Sequence, residues 1–291
     1  MVTSKVDVLV VLHNSADFLR PLLDSLRRVS IPVTAYFLDN ASQDNTAEKL
    51  ASEIVNVPFR VYFFRSLKNN GFARGMNLLA RQGAGEFMFL LNPDTELEDG
   101  CLENLLAQAD SDPAIGICEA RQWPREHPKA YNPVSGETTW CSGAAALVRR
   151  QAFEQMDGFD ERLFFMYCED VDLSWRFWLT GWKCVYVPQA VVRHYTQDLT
   201  TKKRRTWENY FTFRNSLFLF YRFGSWDGRS VCWKYLWKRL VCPKYTWRSK
   251  VLFAIAFADH IRYIPYLLHT RDIWCNHKHP WVRLEETSLA G

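Results

Sequence analysis

Over the first hundred residues two hydrophobic periods take turns. "VDVLVVL" (6–12), "VTAYFLD" (33–39), "RVYFF" (60–64) and "EFMFLL" (86–91) are short, nearly continuous apolar runs, the pattern of strands buried on both faces. Between them lie helical patterns: about 16–29 with Phe18, Leu22, Leu23 and Leu26, then about 44–55 and about 72–82. Strands spaced by helices of this length predict βαβ units, hence an α/β, Rossmann-like, mostly parallel sheet flanked by helices. Ligands of such sheets bind beyond the carboxyl ends of the strands. The residues to inspect are therefore His13-Asn14, Asp39-Asn40, the loop 66–72 and Asn92-Pro93-Asp94.

Further along, the pattern predicts a helix over 99–110, a strand at "IGICEA", a loop over 121–137 and a strand in "TTWCSGAAALVRR". A short helix and the turn "MDGFDER" follow, and "WKCVYVP" and "AVVRHY" read as two more strands. At "TTKKRR" (200–205) the character changes, which divides the chain into a sheet domain, 1–205, and a helical C-terminal region, 206–291. With 48% hydrophobic and 23% charged residues the chain has an ordinary globular composition. Eight cysteines occur without a C-x-x-C pair, which predicts reduced thiols in a cytosolic compartment rather than a zinc site or disulfide framework. The opening apolar run reads as a first strand rather than a signal peptide. No stretch of 18 apolar residues predicts a spanning helix.

Four features bear chemistry. Asp39, in "FLDNASQDNT", stands at a strand end, where a carboxylate accepts from a ribose or base N–H; "ASQDNT" equally suits an Asx-turn. In "NNGFARGMN" (69–77), Gly71 and Gly75 allow close backbone approach to a ligand, and the following helix offers N–H groups to an anion. "LLNPDTEL" (90–97) ends a buried strand in an amide and a carboxylate, oxygen donors suited to Mg2+ or Mn2+; a type I turn would use the same residues. Last comes "FMYCEDVDLSWR" (164–175), with His194 at the end of a later strand. On a helix Asp170 and Asp172 point about 200° apart. Asp172 precedes Arg176 by four residues, the favourable order for an ion pair. Asp170 has only Ser174 at that spacing, and Glu169 has Leu173; both suit a helix N-terminus.

Taken in order, "VVLHNS", "FLDNASQDNT", "NNGFARGMN", "LLNPDTEL", the long stretch from "WCSGAAALVRR" to "AVVRHY", and "FRNSLFLF" resemble the family 2 glycosyltransferases. These are inverting enzymes built on a GT-A nucleotide-sugar-binding fold. The similarity runs from about residue 6 to 196 and more loosely to 223, and rhamnosyltransferase-like and galactofuranosyltransferase-like members share the pattern in particular. The resemblance implies a nucleotide-diphosphate sugar donor (dTDP-rhamnose, then a UDP-sugar) and a glycan or polyprenyl-linked acceptor in polysaccharide biosynthesis. It implies that Asp39 contacts the donor's base or ribose, with Asn14, Asn70, Gly71, Phe72, Asn77 and Asn92 around the nucleotide. It also implies that Asp94 and His194 bind Mg2+ or Mn2+, that Asp170 is the base, and that Trp140, Gly143 and Glu169 face the acceptor. Two positions depart from the family's pattern: Asn92 replaces the first acid of its D-x-D element, and His13 stands where an aromatic residue is common.

Residues 202–250 carry thirteen Lys and Arg against two acids, interleaved with aromatics. Basic, Trp-rich helices fit the surface of an anionic membrane leaflet, which predicts a protein peripheral on the inner face of the cell membrane; a helical subdomain with a solvated charged face is the plainer reading. Nothing here resembles a nucleic-acid-binding motif. Two competing functions are a non-catalytic sugar-nucleotide-binding or scaffold protein of this fold, and a nucleotidyltransferase. The latter calls for a glycine-rich loop after the first strand, and "HNSADFLR" has no glycine.

Overall fold

The structure is a computed structural model and describes residues 4–126, 130–195, 206–224, 228–274 and 278–282. Strand β1 (Val6–Leu12) is covered on both sides, which is why its apolar run is continuous. Val6, Val8, Val10 and Leu12 face one apolar layer, and Leu9 faces the other. Its one polar residue, Asp7, accepts from Gly85 N–H and from Arg150 Nη2, both at 2.7 Å. Helix α1 (Leu19–Leu26) packs on the first layer through Leu19, Leu22, Leu23 and Leu26. The alternation continues as predicted: β2 (Val33–Asn40), α2 (Thr46–Glu53), β3 (Arg60–Ser66), α3 (Gly71–Ala80), β4 (Phe87–Leu91). A three-residue strand the sequence did not announce, β5 (Thr95–Leu97), follows, then α4 (Cys101–Ser111) and β6 (Ile115–Trp123). The remaining elements are β7 (Ala145–Arg149), α5 (Arg150–Gln155), α6 (Glu169–Leu179), β8 (Lys183–His194), α7 (Thr206–Phe223), α8 (Gly228–Val241), α9 (Trp247–Ile261) and α10 (Ile264–Trp274).

Among the described residues the strands form one sheet in the order β3-β2-β1-β4-β7-β6-β8-β5. The first four are parallel, as the βαβ pattern requires. The other half is mixed: β7 is antiparallel to β4 and β6, β6 and β8 are parallel, and β5 is antiparallel to β8. Among the described residues no helix lies between β6 and β7, and their pairing is antiparallel, which needs no crossover.

"WKCVYVP" and "AVVRHY" are one strand rather than two. In β8, Val187 pairs with Ala120 and Val191 with Arg121, so the residues between them bulge out of the ladder. Pro188 has no N–H to donate; it bends the strand without ending it. The bend carries β8 on to pair His194 with Thr95.

The C-terminal helices do not stand apart from the sheet. Phe213, Leu217, Phe218 and Phe220 of α7, Phe253 of α9 and Leu267 of α10 share one apolar layer with Leu9, Met76, Leu90, Phe159 and Trp175. The boundary expected at 200–205 lies outside the described residues, as does Cys275. Among the described residues no single helix is long and apolar enough to cross a membrane; α9 with α10, bent by 61°, would qualify by length and composition. The seven described cysteines are all free thiols.

Candidate active site

The carboxyl ends of β1, β2 and β4 meet the start of β7 on one rim of the sheet. Past β1, His13 Nδ1 lies 3.1 Å from the Asn40 carbonyl. Asn14, at φ +52°, is exposed and accepts from Gln43 N–H at 2.7 Å. Past β2, Asp39 is only 2% exposed. One of its oxygens accepts from Ser42 N–H, three residues on, at 3.1 Å and the other lies 3.5 Å from Arg65 Nε. The first is a local bond of the reach a capping carboxylate makes, one residue longer than an Asx-turn.

The start of α3 differs from expectation. Asn70 N–H goes to Asn40 Oδ1, Gly71 N–H to Asn69 Oδ1 and Phe72 N–H to the Phe165 carbonyl, at 2.9, 2.9 and 2.7 Å. These donors serve the fold, as buried amides must, and are not offered to an anion. Gly71 is needed because its φ is +75° and a Cβ there would stand 2.1 Å from the Phe165 oxygen; at Gly75 a Cβ would press on Val11. Both glycines allow close approach of protein to protein. Asn77 is buried away from the rim, its amide bonded to Phe159 backbone on both sides and to Glu161 Oε2.

Beyond β4, Asn92 N–H donates to the Ala144 carbonyl at 2.8 Å. Two residues on, Asp94 Oδ2 lies 3.2 Å from His194 Nε2, a pair 100 positions apart in the chain. The sheet makes this pair, because Thr95 and His194 are register partners. Gln122 of β6 orients the ring: its oxygen lies 2.9 Å from His194 Nδ1, while its amide nitrogen lies 3.5 Å from Glu119 Oε1. A carboxylate only accepts, so the Gln122 amide hydrogens face Glu119 and its oxygen faces the imidazole. His194 Nδ1 is then the donor to Gln122. An imidazole nitrogen and a carboxylate oxygen side by side are a donor set that suits Mg2+ or Mn2+. Cis ligands on an octahedral ion with bonds of about 2.1 Å lie roughly 3 Å apart, close to the spacing seen. Among the described residues no group of three or more His, Cys, Asp or Glu gathers to hold a metal, so phosphate oxygens and water would complete such a shell. Gln122 escaped sequence reading: it follows Glu119 and Arg121 at the polar end of β6, in a stretch the sequence reads as a loop.

The three acids of 169–172 separate as helix geometry predicts. Asp172, 0% exposed, accepts from Arg176 Nε at 2.8 Å and from Arg222 Nη1 of α7. Arg222 also reaches Asp160, which takes the Tyr266 hydroxyl as well. Burial works against the Arg222 charge, but Asp172 and Asp160 outweigh it and hold the guanidinium more firmly protonated than a free arginine. Glu169 is 6% exposed, and its Oε2 has no hydrogen-bond partner. Burial, then the neighbouring Asp170 charge, pushes its pKa well above the ordinary value of 4.5, which favours the protonated form. Asp170 faces the rim: Oδ2 accepts from Gly143 N–H at 3.1 Å and Oδ1 from Val171 N–H at 2.9 Å. A Cβ on Gly143 would lie 3.2 Å from the Phe72 ring and 3.8 Å from Asp170 Cβ, so Phe72, Gly143 and Asp170 share one place. Trp140 borders the adjoining apolar layer. Tyr167 and Cys168, just before α6, sit at φ +69° and +67°, a conformation costing side-chain-bearing residues on the order of 1–3 kcal/mol each.

The family model for glycosyl transferase family 2 matches residues 7–179. The chain is 30% identical to the N-acetylglucosaminyl-diphospho-decaprenol L-rhamnosyltransferase of Mycobacterium tuberculosis, over 68% of this chain and 78% of that one. It is 24% identical to the O-antigen chain rhamnosyltransferase RfbN of Salmonella typhimurium, over 65% and 66%. Among solved structures, TarS 1-349 of S. aureus in complex with UDP-GlcNAc superposes with a TM-score of 0.62 at 15% identity, covering 92% of this chain and 83% of that one. The mannosyltransferase PcManGT from Pyrobaculum calidifontis, solved with GDP-Man and Mn2+, gives 0.60 at 16% identity, covering 94% and 74%. These structural likenesses establish the GT-A fold.

Proposed function

The chain belongs to glycosyl transferase family 2, and from that premise we propose that it moves rhamnose from a nucleoside-diphosphate donor, dTDP-rhamnose first, to a lipid-linked glycan. The enzyme class and transfer from a nucleotide sugar follow from the family and from the rhamnosyltransferase relatives. The observation that carries the finer reading is one rim bearing both an oriented carboxylate, Asp170, and the Asp94–His194 pair.

A sugar hydroxyl is a poor nucleophile until its proton is taken. Asp170 accepts that proton as the acceptor oxygen bonds to the anomeric carbon and the bond to the diphosphate breaks on the opposite face, inverting the centre. The Gly143 and Val171 N–H groups hold the carboxylate plane during this step. Glu169 is buried next to Asp170, where burial and the Asp170 charge favour its protonated form. A divalent cation, Mg2+ or Mn2+, would be held by Asp94 and His194 and would supply Lewis-acid stabilisation of the leaving diphosphate. Asn14, Asp39, Asn70, Phe72 and Asn92 line the donor side, Trp140 and Gly143 the acceptor side. A non-catalytic role is disfavoured because the base and cation residues stand together.

Turnover and thermal shift against a panel of nucleotide sugars with Mg2+ or Mn2+ test this reading. We expect dTDP-rhamnose to give the highest turnover, and Asp94→Ala to raise the half-saturating metal concentration at least about 10-fold, the usual order for losing a metal-site partner. Metal-independent turnover, or an Asp94→Ala titration that superposes on the parent, would count against the cation site.

The acceptor's lipid finds support in the C-terminal surface. Trp233 and Trp237 on α8 and Trp247 at the start of α9 are 62%, 66% and 70% exposed. Beside them Lys234, Lys238, Lys244 and Arg248 are exposed, and residues 228–258 contain no acid. Aromatic rings at headgroup depth with flanking cations suit an anionic leaflet at the inner face of the membrane. We expect co-sedimentation with phosphatidylglycerol-containing vesicles. Lys234→Glu with Lys238→Glu should weaken it at least about 10-fold, given roughly 1 kcal/mol for each basic residue at such a surface. Equal binding to neutral vesicles would rule the surface out.

A further inference from the structure

We infer that Asn215, on helix α7, is the positioning residue that sets the base in place by holding the two left-handed residues ahead of it. The side chain is fully buried, and its amide nitrogen donates to two consecutive carbonyls, Met166 O at 2.9 Å and Tyr167 O at 2.8 Å. Its orientation is not ambiguous, because Arg214 Nε donates to the Asn215 oxygen at 3.1 Å. The amide hydrogens therefore face the loop. Arg214 adds a bond to the Leu163 carbonyl at 3.3 Å and is itself anchored on Asp259 at 2.9 Å.

The loop so gripped is the one under strain. Tyr167 and Cys168 both hold positive φ without being glycine, a state that persists only where surroundings impose it. On its other side the loop is pinned by Phe72 N–H on the Phe165 carbonyl. Directly after Cys168 the chain enters α6, whose second residue is Asp170. Two bonds from one amide to adjacent carbonyls fix the direction in which the helix starts. That direction decides whether Asp170 meets Gly143 N–H. The C-terminal region thereby acts on the reaction without touching substrate.

This inference rests on reading Asp170 as the base, and its test separates the two. Asn215→Ala should lower kcat about 100-fold, the scale of an ångström-level misplacement, while the donor KM and the nucleotide affinity by calorimetry move less than threefold. Adding Cys168→Gly should recover at least about 10-fold of that loss, measured against Cys168→Gly alone, because glycine takes the left-handed conformation unaided. Asn215→Asp keeps the shape but removes the donor pair; it should behave like the alanine variant and keeps the series readable if that variant does not fold. Three results overturn the inference: kcat within threefold of the parent in both replacements, kcat and nucleotide affinity falling together, or no recovery on adding Cys168→Gly, including failure to restore folded protein. Retained turnover in Asp170→Asn would remove the base, whereas rescue by glycine reports on the loop alone.

Discussion

Asp170→Asn should reduce transfer at least about 100-fold while nucleotide binding stays within about threefold of the parent. The expected loss is that of a general base, roughly 10²–10⁴-fold. Asparagine has nearly the same shape and keeps an oxygen for the Gly143 N–H, giving up the second acceptor that faces Val171 N–H. What it loses is the capacity to take a proton. The neighbouring acid supplies the control. Burial and the Asp170 charge favour the protonated form of Glu169, which glutamine resembles, so Glu169→Gln should leave kcat within a few-fold. Steady-state kinetics with calorimetric nucleotide binding check both; Asp170→Asn turning over at more than a few per cent of the parent would remove Asp170 from the base role.

Arg222→Met should cost the most stability, about 3–5 kcal/mol by urea denaturation. Arg222 lies in the charged cluster of Asp172, Arg176 and Asp160, between α6 and the C-terminal helices. Within it two guanidinium groups face two carboxylates, so the charges balance. Methionine fills much of the same space but leaves Asp160 and Asp172 with one cation fewer in a site water does not reach. Breaking a buried pair from one side costs about 3–5 kcal/mol, because the remaining charge is left without its partner. An exposed arginine makes the comparison: Arg20, 74% exposed at its side chain, should change stability by no more than about 0.5 kcal/mol on replacement. A loss below about 1 kcal/mol for Arg222→Met would mean that the cluster is hydrated or rearranges.

β1, β2 and β4 could be read because they are buried on both faces and so carry nearly unbroken apolar runs; β3 carries "VYFF" as well, but lies at the sheet edge with none of its residues fully buried. The separation of Asp170 from Asp172, and the Asp172–Arg176 pair, were legible because a helix fixes angles between residues a few positions apart. Glycine is less informative: Gly71 and Gly75 declare close approach but not what approaches, and here it is Phe165 and Val11. Pro188 marks a break in the ladder without saying whether the strand ends there. Asn77, in a loop-like motif, turned out to hold another loop.

From the sequence alone came the α/β class, the alternation of strands and helices as far as β4, the strand ends to inspect, and the family pattern that points to Asp94, Asp170 and His194. Tertiary structure alone decided the pairings across long stretches of chain: His194 against Asp94 with Gln122 behind it, Gly143 against Asp170, Arg222 against Asp172 of α6, and Asn215 against the loop before α6. The reason is physical. Periodicity records how a residue meets water or its own helix, over one or two turns. A hydrogen bond between residues far apart in the chain leaves no such period, and exists only once the sheet register and the packing of the helices have brought its two ends together.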